Sequence, residues 1–353
     1  LVLGAGPAGA TVALNLAPFR RVLVVERAAR VRVRIGESLP GAAHRLLRDM
    51  GLWDAFQSDG HRPCHARRSL WGSAAPVETD AISDLDGPGW SLDRARFEAR
   101  LRVAAAARGA QVLTPARARV IERRDGAWTI EVLHSGTARP VRARLLIDAR
   151  GRAARPLPGG VRRGRDRLVC GWLRLSACWP AGVIHVEAAP DGWWYGTGVP
   201  GGRAVVAFHT DADLPAAAEA RDRRRLLARA ARLQGATIAR GVIAAGGFCA
   251  AHGCRLDRAA GDGWLAVGDA ALAFDPLSSQ GLLNALYTGL CAAEAAGRML
   301  AGADRAAEDY AQTIGALWAT YERHLAHYYR QERRWPTSPF WARRAGPQVV
   351  SLR

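Results

Sequence analysis

The chain opens on an apolar run, Leu1–Leu3, that breaks at a glycine-rich turn over residues 4–9. Small and apolar residues then recur at helical spacing from Ala10 to Leu16. A second apolar run, Arg21–Val25, ends in Glu26. This strand–turn–helix–strand order predicts a βαβ unit. Helical patterns follow at Pro40–Met50 and Asp93–Arg108, the second opening on an Asp N-cap and closing at Gly109. Apolar or alternating runs at Gln111–Leu113, Arg117–Glu122, Trp128–Leu133 and Arg139–Asp148 predict strands joined by Gly or Asp turns. A second group of strands is predicted at Leu168–Leu175, Gly182–Glu187, Trp193–Gly198 and Arg203–Phe208. Ala216–Leu233 reads as one Arg/Ala-rich helix, Gly263–Gly268 as a strand and Gln280–Leu300 as a long helix. From Ala303 the tail reads as helical to about Arg334, where Pro336 and Pro339 break it.

The order of these elements carries the architecture. A βαβ opening stands at the N-terminus, and a second glycine-bearing strand–loop–helix comes only after residue 260. A β-rich block lies between them. The expectation is a mixed α/β (α+β) fold: a Rossmann-like nucleotide-binding domain interrupted by a β-sheet substrate domain, with a C-terminal helical tail. The nucleotide domain takes residues 1–70, 92–165 and 255–300. The substrate domain takes 71–91 and 166–254, and the helical segment 301–353.

Composition narrows the classes. At 353 residues and 49% hydrophobic, the chain can bury a sizeable core, and disorder or a small disulfide scaffold is excluded. The net charge is +18, and every one of the 50 basic residues is arginine. With no lysine there is no lysine Schiff base and no P-loop lysine. The arginines are scattered, without a basic tail or aromatic-interleaved motif, so nucleic acid is not expected. A plain bias toward Arg, Ala and Gly explains most of the excess. A basic face for an acidic peptide or protein partner is the functional alternative. Six cysteines form no CxxC pair or zinc pattern and read as reduced thiols of a cytoplasmic protein, with no metal site. No apolar run reaches the ~18 residues that suggest a membrane span.

Two segments carry nucleotide chemistry. Gly4-x-Gly6-x-x-Gly9 follows a strand and opens a helix. Gly4 makes the turn, Gly6 admits a pyrophosphate close to the backbone, and Gly9 lets helix and strand pack. The helix N-terminus offers free N–H groups. Glu26, twenty residues past Gly6, can accept bonds from ribose hydroxyls. The second segment runs Trp264-Leu265-Ala266-Val267-Gly268-Asp269, then Asp275-Pro276-Leu277-Ser278-Ser279-Gln280-Gly281-Leu282. Asp269 at its strand end suits a polyol hydroxyl, and the turn from Pro276 to Leu282 aims N–H groups ahead of the next helix.

Together these motifs resemble the FAD-dependent monooxygenases of the aromatic-hydroxylase and halogenase type. The strand Leu145-Leu146-Ile147-Asp148-Ala149-Arg150-Gly151 is similar to the family's Asp-Ala-x-Gly strand end, and Arg94 with Phe97 to its R-x-x-F helix start. The match covers most of residues 1–300. The resemblance implies FAD held by Gly4, Gly6, Ala8, Gly9, Glu26, Arg27, Ser38, Arg94, Gly151, Asp269, Pro276, Gln280, Gly281 and Leu282. Asp269 would take the ribityl chain, and the Pro276–Leu282 turn would face the isoalloxazine ring. Reduced flavin and oxygen would give a C4a-hydroperoxide that hydroxylates an electron-rich ring.

A narrower resemblance rests on Gly36-Glu37-Ser38-Leu39-Pro40-Gly41, Gly192-Trp193-Trp194-Tyr195 and Arg334-Trp335-Pro336-Thr337-Ser338-Pro339-Phe340-Trp341. These are similar to tryptophan-halogenase relatives, and to the flavoproteins that mature tryptophan-derived quinone cofactors. Such a protein implies a peptidyl tryptophan as substrate. Halogenases of this type use a lysine, absent here, and a Trp-x-Trp-x-Ile-Pro box, altered here. Halogenation is disfavoured on both counts. Two other readings stay open: an FAD-dependent reductase of isoprenoid double bonds and a non-catalytic FAD-containing assembly factor.

Candidate substrate residues are Trp193 and Trp194, of which strand alternation lets one line a pocket and sends the other to the core. Glu37 is a candidate acid–base group, or a structural hydrogen-bond partner. His209 with Asp211 two residues on could form a base and its orienter, against the plainer reading of a strand-end histidine. No second GxGxxG unit follows a strand, so reduction falls to transient NAD(P)H docking or an external flavin reductase.

Overall fold

The computed structural model describes residues 1–31, 33–157, 160–233 and 241–346. Residues 347–353 of the expected helical segment, and 158–159 and 234–240 further in, lie outside the described residues.

Consecutive buried apolar residues make the central sheet. Five parallel strands run in the order Gln111–Leu113, Leu23–Val25, Val2–Leu3, Leu146–Asp148 and Trp264–Ala266, with Ala260–Gly261 antiparallel at the edge. Val2 lies beside both Val24 and Ile147. Such two-sided burial is the mark of a parallel sheet. Helices Pro7–Leu16 and Gly281–Leu300 pack so closely that a Cβ on Gly289 would stand 2.8 Å from Thr11. A three-stranded antiparallel sheet, Ala116–Arg124, Ala127–His134 and Thr137–Ala143, adds Trp128, Ile130 and Val132 to the same core.

The strand predicted over Arg139–Asp148 is two strands. Residues up to Ala143 alternate on the half-exposed antiparallel sheet, whereas Leu146–Asp148 is buried in the central one. The helix predicted at Ala216–Leu233 is also two, Pro215–Arg221 and Arg223–Ala230. Asp222 is extended there, and its carboxylate accepts the Arg224 and Arg225 N–H groups as an N-cap. The helix predicted from Pro40 starts at Ala43, because Ser38–Leu39 is a strand paired with Gly89–Ser91.

The second sheet has seven strands, ordered Val242–Ala250, Leu168–Ser176, Arg203–Asp211, Gly192–Val199, Val183–Ala189, Ala66–Leu70 and Val77–Asp80. The last two pair with each other across the domain boundary expected at residue 70. One face of this sheet, with Leu173, Leu175, Trp194 and Phe208, is covered by the helices of residues 215–230. The other, with Cys170, Trp172 and Trp193, joins the main core. The C-terminal helix Ala306–Gln331 and the short helix Pro339–Ala345 return along the molecule. Trp341 Nε1 donates to the Ala189 carbonyl at 2.8 Å, tying the tail to the second sheet. Among the described residues no helix is long and apolar enough to cross a membrane.

Gly171 sets the spacing of helix on sheet, since a Cβ there would lie 2.1 Å from the Ala220 carbonyl oxygen. Gly171→Ala is expected to destabilise the fold by about 1–3 kcal/mol through overpacking. Urea denaturation reads this directly, and an unchanged midpoint would contradict the assignment.

Candidate active site

The glycine-rich turn is built by exclusion. Gly4 has φ +99°, and a Cβ on it would meet the Ala149 carbonyl oxygen at 2.6 Å. A Cβ on Gly9 would meet the Gly4 carbonyl oxygen at 2.0 Å. Gly6 is different: nothing lies within 4 Å of the position its Cβ would take. The turn is therefore packed behind and open in front, at the N-terminus of the helix Pro7–Leu16. Ala8 is buried against Gly268. Glu26 accepts the Ala5 and Ala28 N–H groups, each at 2.8 Å, and Arg27 beside it is exposed. Arg102, not singled out from sequence, donates to the Ala5 carbonyl at 2.7 Å from the helix Arg94–Ala107.

The second segment has the same form. Gly281 opens the helix Gly281–Leu300 with nothing near its Cβ position, and Gly151 is equally open at φ +80°. Asp275 is buried and caps the short turn Pro276–Ser278 by accepting the Leu277 N–H at 2.9 Å. Burial lifts the Asp275 carboxyl to about 6, with the negative charge of Asp166 adding to the rise. Pro276 is exposed, Gln280 half-buried and Leu282 buried. The Asp269 carboxylate is part-exposed, with the Arg152 guanidinium at 3.4 Å. Arg152 also donates to the Ala250, His252 and Phe274 carbonyls. It thus links this segment to the edge of the seven-stranded sheet.

The seven-stranded sheet meets the loop Gly36–Glu37 at Arg174. Gly36 at φ +107° leaves room for Arg94, whose Nη1 donates to the Gly36 carbonyl at 2.5 Å while its Nε donates to Glu98. Glu37 is fully buried. It accepts the Gly36 N–H at 2.9 Å and the Arg174 Nη2 at 3.3 Å. Burial raises its carboxyl above the usual range, against the pull of the Gly36 N–H and the Arg174 and Arg94 charges. Ser38 next to it is half-buried in the strand pairing with Ser91. Ser91 contacts Thr197 at 2.7 Å and Cys64 at 3.1 Å. Tyr195 shares a sheet face with Thr197 and feels the Glu37 charge. Its hydroxyl, like Arg174 Nε, is buried with no hydrogen-bond partner among the described residues.

The pattern of the FAD binding domain family matches residues 1–286. The chain belongs to that family. It sits within the FAD-dependent monooxygenase superfamily that its motifs resemble. LodB of Marinomonas mediterranea, named as an FAD-dependent oxidoreductase, is 29% identical over 98% of this chain and 96% of its own. The peptidyl tryptophan dihydroxylase QhpG, essential for tryptophylquinone cofactor biogenesis, has a similar structure. Its TM-score is 0.76 at 28% identity, covering 100% of this chain and 80% of QhpG. The myxobacterial chondrochloren halogenase CndH shares the fold, with a TM-score of 0.87 at 24% identity over 98% of this chain and 85% of its own.

The residues present fit FAD. The open faces of Gly6 and Gly281, each at a helix N-terminus, leave backbone N–H groups for phosphate and ring oxygens. Asn284 Nδ2, a turn into the second helix, is buried without a partner among the described residues. Bound FAD would supply the oxygen chemistry. This chain's own groups would place the ring and exclude water.

Two expectations change. Both Trp193 and Trp194 are buried, at 1% and 3% exposure, so neither indole lines an open pocket. Trp194 packs on Phe208, while Trp193 stacks on His209 with centroids 3.7 Å apart and donates to Tyr329 Oη. The His209–Asp211 pair is not made, because Asp211 is held by Arg344 at 2.7 Å. Neither ring nitrogen of His209 reaches a partner among the described residues. The residues that do approach Glu37 are Arg174 and Tyr195. Arg174 had a readable signal, as the one charge inside the apolar strand LVCGWLRLS.

Burial holds His209 neutral, lowering its pKa from 6.5 to about 3. A lowered histidine stabilises the fold above its unfolded pKa and loses that contribution as pH falls below 6.5 toward 3. His209→Phe keeps a ring against Trp193 and removes the titration. Denaturation series over this window should show a flatter loss of stability for the variant, and parallel curves would contradict the assignment.

Proposed function

We propose that the protein hydroxylates an electron-rich aromatic ring, using oxygen activated on FAD, and that the ring is a tryptophan side chain of a partner peptide. The observation that carries this reading is the buried polar cluster of Glu37, Arg174 and Tyr195, where the Gly36–Glu37 loop meets the seven-stranded sheet. Its unpartnered Tyr195 Oη can accept an indole N–H, and its unpartnered Arg174 Nε–H can donate to a peptide carbonyl. Identity to QhpG over the whole chain supports a peptidyl tryptophan. The absence of lysine argues against halogenation. Glu37 would orient the ring or exchange a proton with it, its carboxyl raised toward neutrality by burial. FAD would lie along Gly4, Gly6, Gly9, Glu26, Asp269 and the turn from Pro276 to Leu282. The reductant would be NAD(P)H, acting directly or through a flavin reductase. The free cysteines suit a reducing compartment such as the cytoplasm.

The test starts from FAD-loaded protein reduced without oxygen. Oxygen is then admitted with a tryptophan-containing peptide of acidic character. Peptide gaining oxygen atoms at the indole is the expected result. Glu37→Gln should retain FAD and lower kcat on the order of 10²-fold. A peptide that never gains oxygen, with flavin that reoxidises normally, would overturn hydroxylation.

The net charge of +18 supports an acidic partner surface. Partner affinity should fall steeply as salt rises from low to physiological ionic strength. Salt-independent affinity would refute the charge match.

A further inference from the structure

Cys170 and Cys249 stand directly opposite each other on adjacent antiparallel strands, Leu168–Ser176 and Val242–Ala250. Opposed residues in such a pair share one face, with Cα atoms about 4.5–5.5 Å apart. That lies inside the roughly 4.4–6.8 Å range a disulfide spans, so the strands need not move to be bridged. Cys170 is 1% exposed, whereas Cys249 is partly open on the sheet's edge strand. Arg152 is fixed beside Cys249 by the carbonyls of Ala250 and His252, each at 3.2 Å. The adjacent Cys170 thiol favours the Cys249 thiolate, and Arg152 adds to this, bringing Cys249 to about 7. Burial pushes Cys170 up. A reachable thiolate beside a cation, backed by a buried thiol in register, is the arrangement of an attacking and a resolving cysteine.

We propose that Cys249 and Cys170 form a redox-active cross-strand dithiol that hydrogen peroxide closes to a disulfide. The Cys249 thiolate attacks one peroxide oxygen, the O–O bond breaks, and the departing hydroxide takes a proton to become water. Cys249 is then a sulfenic acid. The Cys170 sulfur attacks the Cys249 sulfur, the S–O bond breaks, and hydroxide leaves with the Cys170 proton as a second water. Two thiols have lost two hydrogens and two electrons, and one peroxide has become two waters. The closed bond staples the edge strand to its neighbour next to Arg152, the residue that also contacts Asp269.

Purified protein is treated with hydrogen peroxide, and its remaining thiols are alkylated and mapped. The expected result is that Cys170 and Cys249 disappear together from the alkylated set. Their peptides should appear joined, with the intact mass lower by two hydrogens, and dithiothreitol should reverse this. Cys170→Ser should stop at a Cys249 sulfenic acid trapped by a 1,3-dione probe, while Cys249→Ser should leave Cys170 reduced. If Cys170→Ser does not fold, the joined peptides of the unaltered protein decide alone. Both thiols staying alkylatable in peroxide that fully oxidises added cysteine would overturn the proposal. So would Cys249 gaining oxygen without a link. The thiol readout is independent of FAD content, so its failure is separable from failure of the hydroxylation reading.

Discussion

Glu37, on the loop that enters the strand Ser38–Leu39, and Arg174, on the seven-stranded sheet, meet at 3.3 Å in the interior. Each is anchored before it arrives: Glu37 by a glycine turn that Arg94 clasps, Arg174 by its place in a seven-stranded sheet. A buried pair of this kind is a weak source of net stability, since desolvation offsets most of the attraction. Removing one partner is costly all the same, roughly 3–5 kcal/mol, because the other charge stays buried. The contact therefore fixes where the Gly36–Glu37 loop sits on the seven-stranded sheet more than it strengthens either. The carboxyl of Glu37 rises despite Arg174, which means that burial outweighs the cation. The Gly36 N–H and one long contact with Arg174 leave the carboxylate under-compensated, and an under-compensated carboxylate is receptive to a further donor.

The tail closes the same region from another side. Tyr329 donates to Asp275 Oδ2 at 2.8 Å and accepts from Trp193 Nε1 at 3.1 Å. The turn that leads to the second helix N-terminus is thereby hydrogen-bonded, through one phenol, to the strand Gly192–Val199 of the seven-stranded sheet. Trp71, Trp335, Phe340 and Trp341 pack around this phenol or its neighbours. Trp193 is thus consumed by structure. Its indole N–H has a partner and its face has His209, which leaves it no free edge for a substrate ring.

The nucleotide half was legible because its chemistry is local. Gly4, Gly6, Gly9 and Glu26 stand close in sequence, and each residue type answers one steric or hydrogen-bonding need of the turn. The opening βαβ unit and the elements from Asp93 to Leu133 followed from short-range pattern in the same way, whereas the helix Trp53–Ser58 and the short strands between Ser38 and Ser91 carried no such pattern. What failed was long-range. The apolar run to Asp148 looked continuous, yet Ala143 and Leu146 belong to different sheets. Trp193 drew attention as an aromatic on a strand. Its indole is enclosed by Tyr329 and Trp71, both more than 120 residues away, which pattern along the chain does not reveal. Asp211 invited pairing with His209 two residues back, and Arg344 took it from the far end of the chain. In each case a distant partner outcompeted the near one.

One of those distant partners is an arginine, and other arginines act in the same way, which recasts the basic excess. Arg344 is buried, forks onto both Asp211 oxygens, and lies 3.7 Å from the Phe340 ring centroid. Arg150 forks onto Asp148 at the end of a central strand, and Arg100 onto Asp59. Arg102, Arg152 and Arg174 reach the glycine turn, the Asp269 segment and Glu37. A planar fork can grip both oxygens of one carboxylate in a fixed geometry and lie flat on a ring, which the compact lysine ammonium does not. A chain with no lysine has used that geometry inside the protein, as its means of joining segments far apart in sequence. The surface charge that remains is what an acidic partner would meet. The interior arginines are excluded from that role, because each already holds an acceptor of its own chain.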